Sequence, residues 1–318
     1  MNNSAEVTSL ILTAYGNIGD MRYFYFILLF VMYITMLFSN TLLIAVICLE
    51  RGLHEPMYLF LCSLSVNELY GATSLLPALL LYLLSDNNEI SFAFCFIQIF
   101  CLYTYGVTEL GNLAVMSYDR YISICYPLHY YEIITSCKVC FFISLVWLYS
   151  FCSVAVTISL SLRLKLCGNV IEKIYCDNYL LVKLACTSTT LNNVYGLVGT
   201  FFGVGITFIP ILYSYAKILN ICMTSSKETR LKALNTCFPH LASLINFSVG
   251  VLLVIIQSRF DMTHVPIVLR TVISVYFIMC PPLFNPFMYG LRMNKIRDAF
   301  KNIIYYKWQL YPLMRSAK

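Results

Sequence analysis

The sequence predicts an all-α membrane protein: a bundle of seven membrane-spanning helices followed by a short amphipathic helix on the inner surface. Three observations carry this expectation. Of the 318 residues, 60% are hydrophobic and only 11% charged, far from the balance of a soluble globular domain. Seven largely uncharged stretches each reach the roughly 20 residues that a helix needs to cross the hydrocarbon core. Lysine and arginine concentrate in alternate connections, as they do in a chain threaded through a bilayer.

The leader Met1 to Arg22 is polar and lacks the basic start and short apolar core of a cleavable signal peptide. The first span is therefore expected to act as its own insertion signal. The spans are expected at Phe24–Leu49, Met57–Ser85, Ile90–Tyr118, Val139–Leu162, Thr187–Ala216, Ala233–Ser258 and Thr271–Leu291. Between them lie a short inner loop at Arg51–Pro56, a short outer turn at Leu84–Glu89, a long outer loop at Arg163–Cys186 and a polar, basic inner loop around Thr224–Arg230. Long ordered loops tend to be functional. After the last span, Asn294–Tyr306 places Ile296, Phe300, Ile303 and Ile304 on one helical face, away from Lys295, Arg297 and Lys301, as an interfacial helix requires. With no repeats or long linkers, the chain reads as one domain: residues 1–23 outside, 24–291 as the bundle and 292–318 as an inner tail.

If the tail is inside, fourteen of the 21 basic residues fall in inner segments, which orients the N-terminus outward. Arg22 and Arg51 nearly balance across the first span, so the later loops decide. The sequon Asn2-Asn3-Ser4 agrees, because glycosylation at Asn2 is meaningful only on the outer side. A second match, Asn246-Phe247-Ser248, sits within a span and reads as accidental. Of fourteen cysteines, those in spans or inner segments, such as Cys48, Cys62, Cys125, Cys222 and Cys237, read as small buried hydrophobes. Cys95, Cys167, Cys176 and Cys186 fall on the outer side, where disulfides persist, and four cysteines allow three connectivities.

Two groups of ionisable residues stand out. Asp119 and Arg120, at the end of the third span, form a charged pair at the edge of a bilayer, which is by default a candidate functional site. Glu68 and Glu109 lie near mid-membrane, where a carboxylate costs about 2.5–3.5 kcal/mol even on mild insertion scales. They should face inward. Two like charges cannot both ionise there without a counter-ion, so either a proton is held or a cation is bound. Enzyme chemistry is not indicated: His54, His129, His240 and His264 lie in separate segments without metal-ligand spacing, and no nucleophile elbow or phosphate loop appears.

Five segments then bring in a resemblance. Pro56-Met57-Tyr58-Leu59-Phe60-Leu61, Met116-Ser117-Tyr118-Asp119-Arg120-Tyr121-Ile122-Ser123-Ile124-Cys125-Tyr126-Pro127-Leu128, Ser214-Tyr215-Ala216-Lys217-Ile218, Lys232-Ala233-Leu234-Asn235-Thr236-Cys237-Phe238-Pro239-His240-Leu241 and Pro282-Leu283-Phe284-Asn285-Pro286-Phe287-Met288-Tyr289-Gly290-Leu291-Arg292 resemble, in order and membrane depth, segments of the odorant receptors of the rhodopsin-like G-protein-coupled family. Glu68 in place of the usual aspartate, Ser39 before Asn40 and Phe247-Ser248-Val249 in the sixth span depart from that pattern. Several such features resemble the fish members.

The resemblance implies a plasma-membrane receptor of olfactory neuron cilia that binds a small odorant and activates a stimulatory, olfactory-type heterotrimeric G protein, raising cyclic AMP. Its partners would be odorant, G protein and membrane lipid, with no nucleic acid. It implies bridges Cys95–Cys176 and Cys167–Cys186, a G-protein switch at Asp119, Arg120, Tyr121, Tyr215 and Tyr289, and a sodium pocket at Glu68, Glu109 and Asn285 with Asn40 nearby. The acid that often braces this arginine from the sixth helix is absent in Thr229-Arg230-Leu231-Lys232. The ligand pocket is implied at Leu102, Tyr103, Gly106, Val107, Phe202, Gly203, Ser248, Val251, Leu252, Ile255 and Tyr276, an uncharged and mostly apolar set that argues against an ion-paired amine. Two alternatives stay open: a non-olfactory rhodopsin-like receptor for a lipid or peptide, from which Lys232–Leu241 separates it, and a seven-span proton-coupled transporter, which would show an internal repeat.

Overall fold

The structure, a computed structural model, describes residues 9–13, 19, 21–85, 88–260, 262 and 264–303. A strand, β1 (Ser9–Leu12), precedes helices α1 (Met21–Leu49) and α2 (Pro56–Leu84). Strand β2 (Glu89–Ser91) leads into α3 (Phe92–Cys125), then the one-turn α4 (Tyr130–Ile133) and α5 (Ser136–Leu162). Strand β3 (Val170–Ile171) and the short α6 (Asn178–Lys183) lie within the long loop, followed by α7 (Thr190–Thr224), α8 (Lys227–Arg259) and α9 (Ile267–Arg292). Seven of these helices are long and apolar enough to cross a membrane. Residues 294–303 form a further helix.

Several helices start where a side chain satisfies an otherwise unpaired N–H of the first turn. Ser91 Oγ accepts from Phe94, Thr135 Oγ1 from Lys138, Asp177 from Leu180 and Ser226 from Thr229. Pro56 starts α2 at a position where its missing N–H costs nothing. Several expected boundaries shift accordingly. Ile90 belongs to β2, and the third helix begins only at Phe92. The fifth helix runs eight residues past Ala216, and the sixth begins at Lys227, so Thr224–Arg230 is not a loop: only Ser225 and Ser226 separate the two helices. Apolar run length measures the bilayer, whereas a helix continues into water until a cap or a β-type residue stops it. At 1.5 Å per residue, the 35 residues of α7 span roughly 52 Å against a core of about 30 Å.

The polar leader conceals a strand. β1 is the centre of a three-stranded sheet, antiparallel to β2 through Leu10↔Ile90 and parallel to β3 through Leu12↔Ile171. Leu10 and Leu12 are fully buried, so the sheet caps one end of the bundle. They join Ile90, Cys95, Tyr105 and Cys176 in one core cluster. A second cluster fills the opposite end with Leu43, Met57, Leu61, Met116 and Tyr289. Ile296 and Ala299 are buried in it, and Phe300 and Ile303 pack on it, so the helix at 294–303 docks on protein with its apolar face. Lys295 is fixed there by Glu55 at 2.7 Å. Ile304 to Tyr306 lie outside the described residues. Elsewhere the long helices expose large apolar side chains such as Phe38, Leu81, Phe201 and Met223, a surface suited to lipid.

Candidate functional site

Midway along the bundle, three helices contribute polar side chains to one buried network. Glu68 on α2 and Glu109 on α3 are both completely buried. The Asn285 amide on α9 donates to Oε1 of Glu68 and, at 3.2 Å, to Oε1 of Glu109, so a single amide holds both carboxyls. Asn67 Nδ2 donates to Glu109 Oε2 at 2.9 Å and to the Tyr105 carbonyl at 3.1 Å. The Tyr105 hydroxyl donates to Glu68 Oε2 at 3.2 Å.

The prolines of α9 explain why some of these polar groups are there. Pro281 and Pro286 have no N–H, so the carbonyls one turn earlier, of Phe277 and Pro282, lose their helical donors. The Tyr105 hydroxyl approaches the first at 3.4 Å, and Asn40 Nδ2 donates to the second at 2.9 Å. Asn40 thus ties α1 to the broken turn of α9. Gly71 makes room for the arrangement. A Cβ there would lie 2.3 Å from the Tyr105 ring, so only glycine lets the ring lie flat against α2.

At the end of the bundle away from the sheet, Arg120 Nη2 and Nε donate to Asp119 Oδ2 at 2.5 and 3.1 Å. Both residues are nearly buried. Asp119 Oδ1 accepts a third bond, at 2.6 Å, from the Tyr130 hydroxyl of α4. Burial and the neighbouring Asp119 carboxylate both push the Tyr130 phenol upward, so it stays a donor. Tyr121 stacks edge-on against Tyr126 and Tyr213. Tyr215 and Tyr289, both assigned to the switch, have different surroundings. Tyr289 is buried in the core of this end, while Tyr215 meets His240 on α8 in a short hydrogen bond to Nδ1. His240 Nε2 lies 2.9 Å from the Leu113 carbonyl, which can only accept, so Nε2 carries the proton and the Tyr215 hydroxyl donates to Nδ1. One buried imidazole therefore joins α3, α7 and α8. Sequence reasoning found no role for His240, since its partners are far away in the chain.

At the sheet-capped end, Cys95 is bonded to Cys176 and Cys167 to Cys186, with Cα separations of 5.5 and 5.4 Å. Gln98 Oε1 accepts from the Cys176 N–H at 2.8 Å, doubling the link between α3 and the loop. Lys173, only 1% exposed, donates to Asp177 Oδ2 and to Ser258 Oγ on α8, each at 2.9 Å. Burial alone would lower its basicity, but the Tyr175 phenol and the Asp177 carboxylate outweigh that and raise it. The hydrophobic reading of the chain missed this tether entirely. Its signal, Lys-x-Tyr-x-Asp in a cysteine-rich loop, is visible only in retrospect.

The expected pocket residues are distributed unevenly. Leu102 is buried; Tyr103, Gly106, Val107, Gly203, Ser248, Val251 and Tyr276 are half-buried. The Tyr276 hydroxyl donates to Asn246 Oδ1 at 2.7 Å, and Ser248 Oγ donates to the Leu244 carbonyl of its own helix. Phe202, Leu252 and Ile255 are 58%, 56% and 42% exposed, so the packing of α7 and α8 does not close them into one enclosed lining with Leu102. Helical spacing sets which residues share a face, but how far neighbouring helices splay sets which of them are covered. A cavity of about 420 Å³ opens between the loop and the tips of α8 and α9, lined by Glu172, Lys173, Leu180, Lys183, Gln257, Ser258, Arg259, Phe260, Met262 and Arg270. Asn2 lies outside the described residues.

Comparison with known proteins accords with this architecture. Residues 29–307 match the family described as olfactory receptor. A human protein described as olfactory receptor 51L1 is 35% identical over 300 residues, covering 93% of this chain and 95% of its own. Olfactory receptor 6N1, also human, is 32% identical over 304 residues, covering 94% and 96%. Olfactory receptor 4B13 of the mouse is 33% identical over 303 residues, covering 95% and 97%.

Proposed function

The chain belongs to the olfactory receptor family, and on that premise we propose that it binds a small odorant in the sheet-capped half of the bundle and activates a stimulatory, olfactory-type G protein, raising cyclic AMP. As a family member it is a multi-pass membrane protein that takes odorants, couples to G proteins and is not an enzyme. In this reading the sheet, the two disulfides and any glycan at Asn2 face outward, and the Asp119–Arg120 end faces the cytosol of olfactory cilia.

The observation that carries the proposal is the state of Arg120. An acid on α8 does not restrain it; Asp119, next to it in the chain, does, and Asp119 is in turn held by Tyr130. Breaking a partly buried guanidinium from one carboxylate needs a partner of comparable strength, and the exposed end of a G protein could supply one. Tyr215 and His240 fasten α7 and α8 to α3 beside it. Odorant contacts with the upper parts of α3, α8 and α9 would favour one arrangement of these helices over the other, which is all that a ligand can do to such an equilibrium. The expected lining residues Leu102, Tyr103, Gly106, Val107, Gly203, Ser248, Val251 and Tyr276 remain the contacts we assign to the odorant, with Phe202, Leu252 and Ile255 at its open side.

A sodium ion fits the central network. Asn40, Asn67 and Asn285 each keep a buried Oδ1 without a hydrogen-bond partner, and hard cations take such oxygens together with carboxylates. Glu68, Glu109 and Asn285 would hold the ion, with Asn40 close by, and its single positive charge would offset one carboxylate, leaving the other to keep a proton or the residual charge.

The test is Arg120→Ala in the receptor expressed on cells. Odorant-stimulated cyclic AMP per receptor at the surface should disappear, with display measured in parallel and in Arg120→Ala with Asp119→Asn, because the single change strands the buried Asp119 carboxylate. Full signalling by that variant would overturn the switch assignment.

A further inference from the structure

We propose that Cys137 and Cys140, at the inner end of α5, are S-acylation sites: each takes a long-chain fatty acyl group in thioester linkage, and the chains lie along the lipid-facing side of that helix. The inference goes beyond odorant binding and signalling and rests only on the reading that the Asp119–Arg120 end faces the cytosol.

Access to the thiols is the first support. Ten cysteines stay outside the two disulfides. Toward the inner end, Cys222 and Cys237 are buried and Cys125 is half-buried, whereas Cys48, Cys137 and Cys140 are exposed. A thiol must be reachable to react. Cys48 lies against Cys62 of α2, but Cys137 and Cys140 stand free of such a neighbour, one turn apart and about 4.5 Å from each other along the axis. Residues 281–318 contain no cysteine, so the docked helix at 294–303 has no thiol to carry an acyl chain itself.

The second support is depth. Juxtamembrane cysteines are the ones that undergo reversible acylation, and these two sit where polar chain gives way to apolar helix. Just before them, His129 and Glu132 pair in the open at 2.9 Å. Lys138, between them, turns its ammonium back to the Ile133 carbonyl at 2.7 Å, as a lysine does when its stem lies along an apolar surface. Beyond them come Phe141, Leu145 and Leu148, which are 60%, 50% and 62% exposed.

Direction is the third. Cys137, Cys140, Phe141, Ser144, Leu145 and Leu148 recur at helical spacing and are all exposed, so they form one continuous outward stripe. The opposite side of α5 is occupied: Val139 is fully buried, Val146 packs on Gly111 of α3 and Trp147 Nε1 donates to Ser63 Oγ of α2 at 3.2 Å. An acyl chain leaving either thiol therefore meets Phe141 and Leu145 and the surrounding lipid. In the transfer, the cysteine sulfur attacks the carbonyl carbon of a long-chain acyl-coenzyme A thioester. The new S–C bond forms as the old one breaks, and coenzyme A leaves as its thiol with the proton that the cysteine gives up. One thioester replaces another, so neither an oxidant nor a reductant is needed. Only Ile134 and Thr135 separate α4 from α5, so the chains would also steady the turn whose Tyr130 holds Asp119.

The test uses the full-length receptor in cultured cells fed an alkyne-tagged palmitate. The wild type should take up label that neutral hydroxylamine removes, as it removes a thioester, and replacing each released acyl group by a polyethylene glycol tag should shift its mass. With label normalised to the receptor present, Cys137→Ser and Cys140→Ser should each lose part of it, the double variant all of it, and Cys48→Ser none. Absence of hydroxylamine-sensitive label on the wild type, or undiminished label in the double variant, would overturn the proposal. A membrane-impermeant maleimide applied to intact cells should not reach Cys137 or Cys140; reaction from outside would overturn the inward orientation and this proposal with it. A receptor that is acylated there but fails to raise cyclic AMP would sink the signalling assignment alone.

Discussion

Replacing Gly71 by alanine should destabilise the receptor by an amount that can be worked out from its surroundings. The new Cβ would lie 2.3, 2.6 and 2.8 Å from three atoms of the Tyr105 ring. To restore an ordinary 3.4 Å contact, the ring must retreat by about 1.1 Å. Its hydroxyl already stands 3.2 Å from Glu68 on the same helix α2, so a retreat from α2 stretches that bond beyond hydrogen-bonding range. Overpacking of this kind costs about 1–3 kcal/mol, and leaving the buried acceptor unpaired about 1–3 kcal/mol more. The better helix propensity of alanine returns about 1 kcal/mol, for a net loss of about 1–5 kcal/mol. Thermal denaturation of the purified receptor would measure it against Gly199→Ala, where nothing lies within 4 Å of the added methyl and the change should be neutral or mildly stabilising. In a Tyr105→Phe background the hydroxyl term is already spent, so Gly71→Ala should cost less by about 1–3 kcal/mol. If Gly71→Ala melts with the wild type, the close approach of Tyr105 to α2 is wrong.

Other outcomes follow from the same contacts. Cys95→Ser and Cys176→Ser should each reduce surface display, and the double variant should be no worse than either; additive damage would mean that the two thiols do separate things. Lys173→Met strands the buried Asp177 and should cost about 3–5 kcal/mol, whereas Lys173→Met with Asp177→Leu should recover all but the roughly 1 kcal/mol of the lost α6 cap. Because folding raises the Lys173 pKa, the stability it brings is fully present below the ordinary lysine range and fades only as pH climbs through the raised value. Melting curves between pH 6 and 9 should therefore show the same Lys173→Met deficit throughout. For the central acids, rising sodium at constant ionic strength should lower basal cyclic AMP in the wild type but not in Glu68→Gln or Glu109→Gln, and a sodium-independent wild type would leave the pair as a structural, proton-sharing unit.

The sequence alone determined what depends on composition and on local pattern. Seven apolar runs define seven helices because a bilayer demands internally satisfied backbone of a minimum length. The mid-membrane acids had to turn inward because lipid offers them no partner, and they do, onto one asparagine. Asp119 and Arg120 stand out because they are adjacent in the chain. Helix ends were less legible, since caps at Ser91 and Ser226 outweigh hydropathy. What only the tertiary structure decided are the contacts between residues distant in sequence. A strand in the polar leader exists because β2 and β3 flank it, and a four-residue segment shows no such signal by itself. Asn40 and Tyr105 meet the carbonyls orphaned by the α9 prolines across 242 and 172 residues, and His240 reaches Leu113 across 127. The basic cavity, too, is assembled from a loop and two helix tips whose charges are scattered along the chain. Local rules determine which groups must find a partner, and the packing of helices determines which partner each one finds.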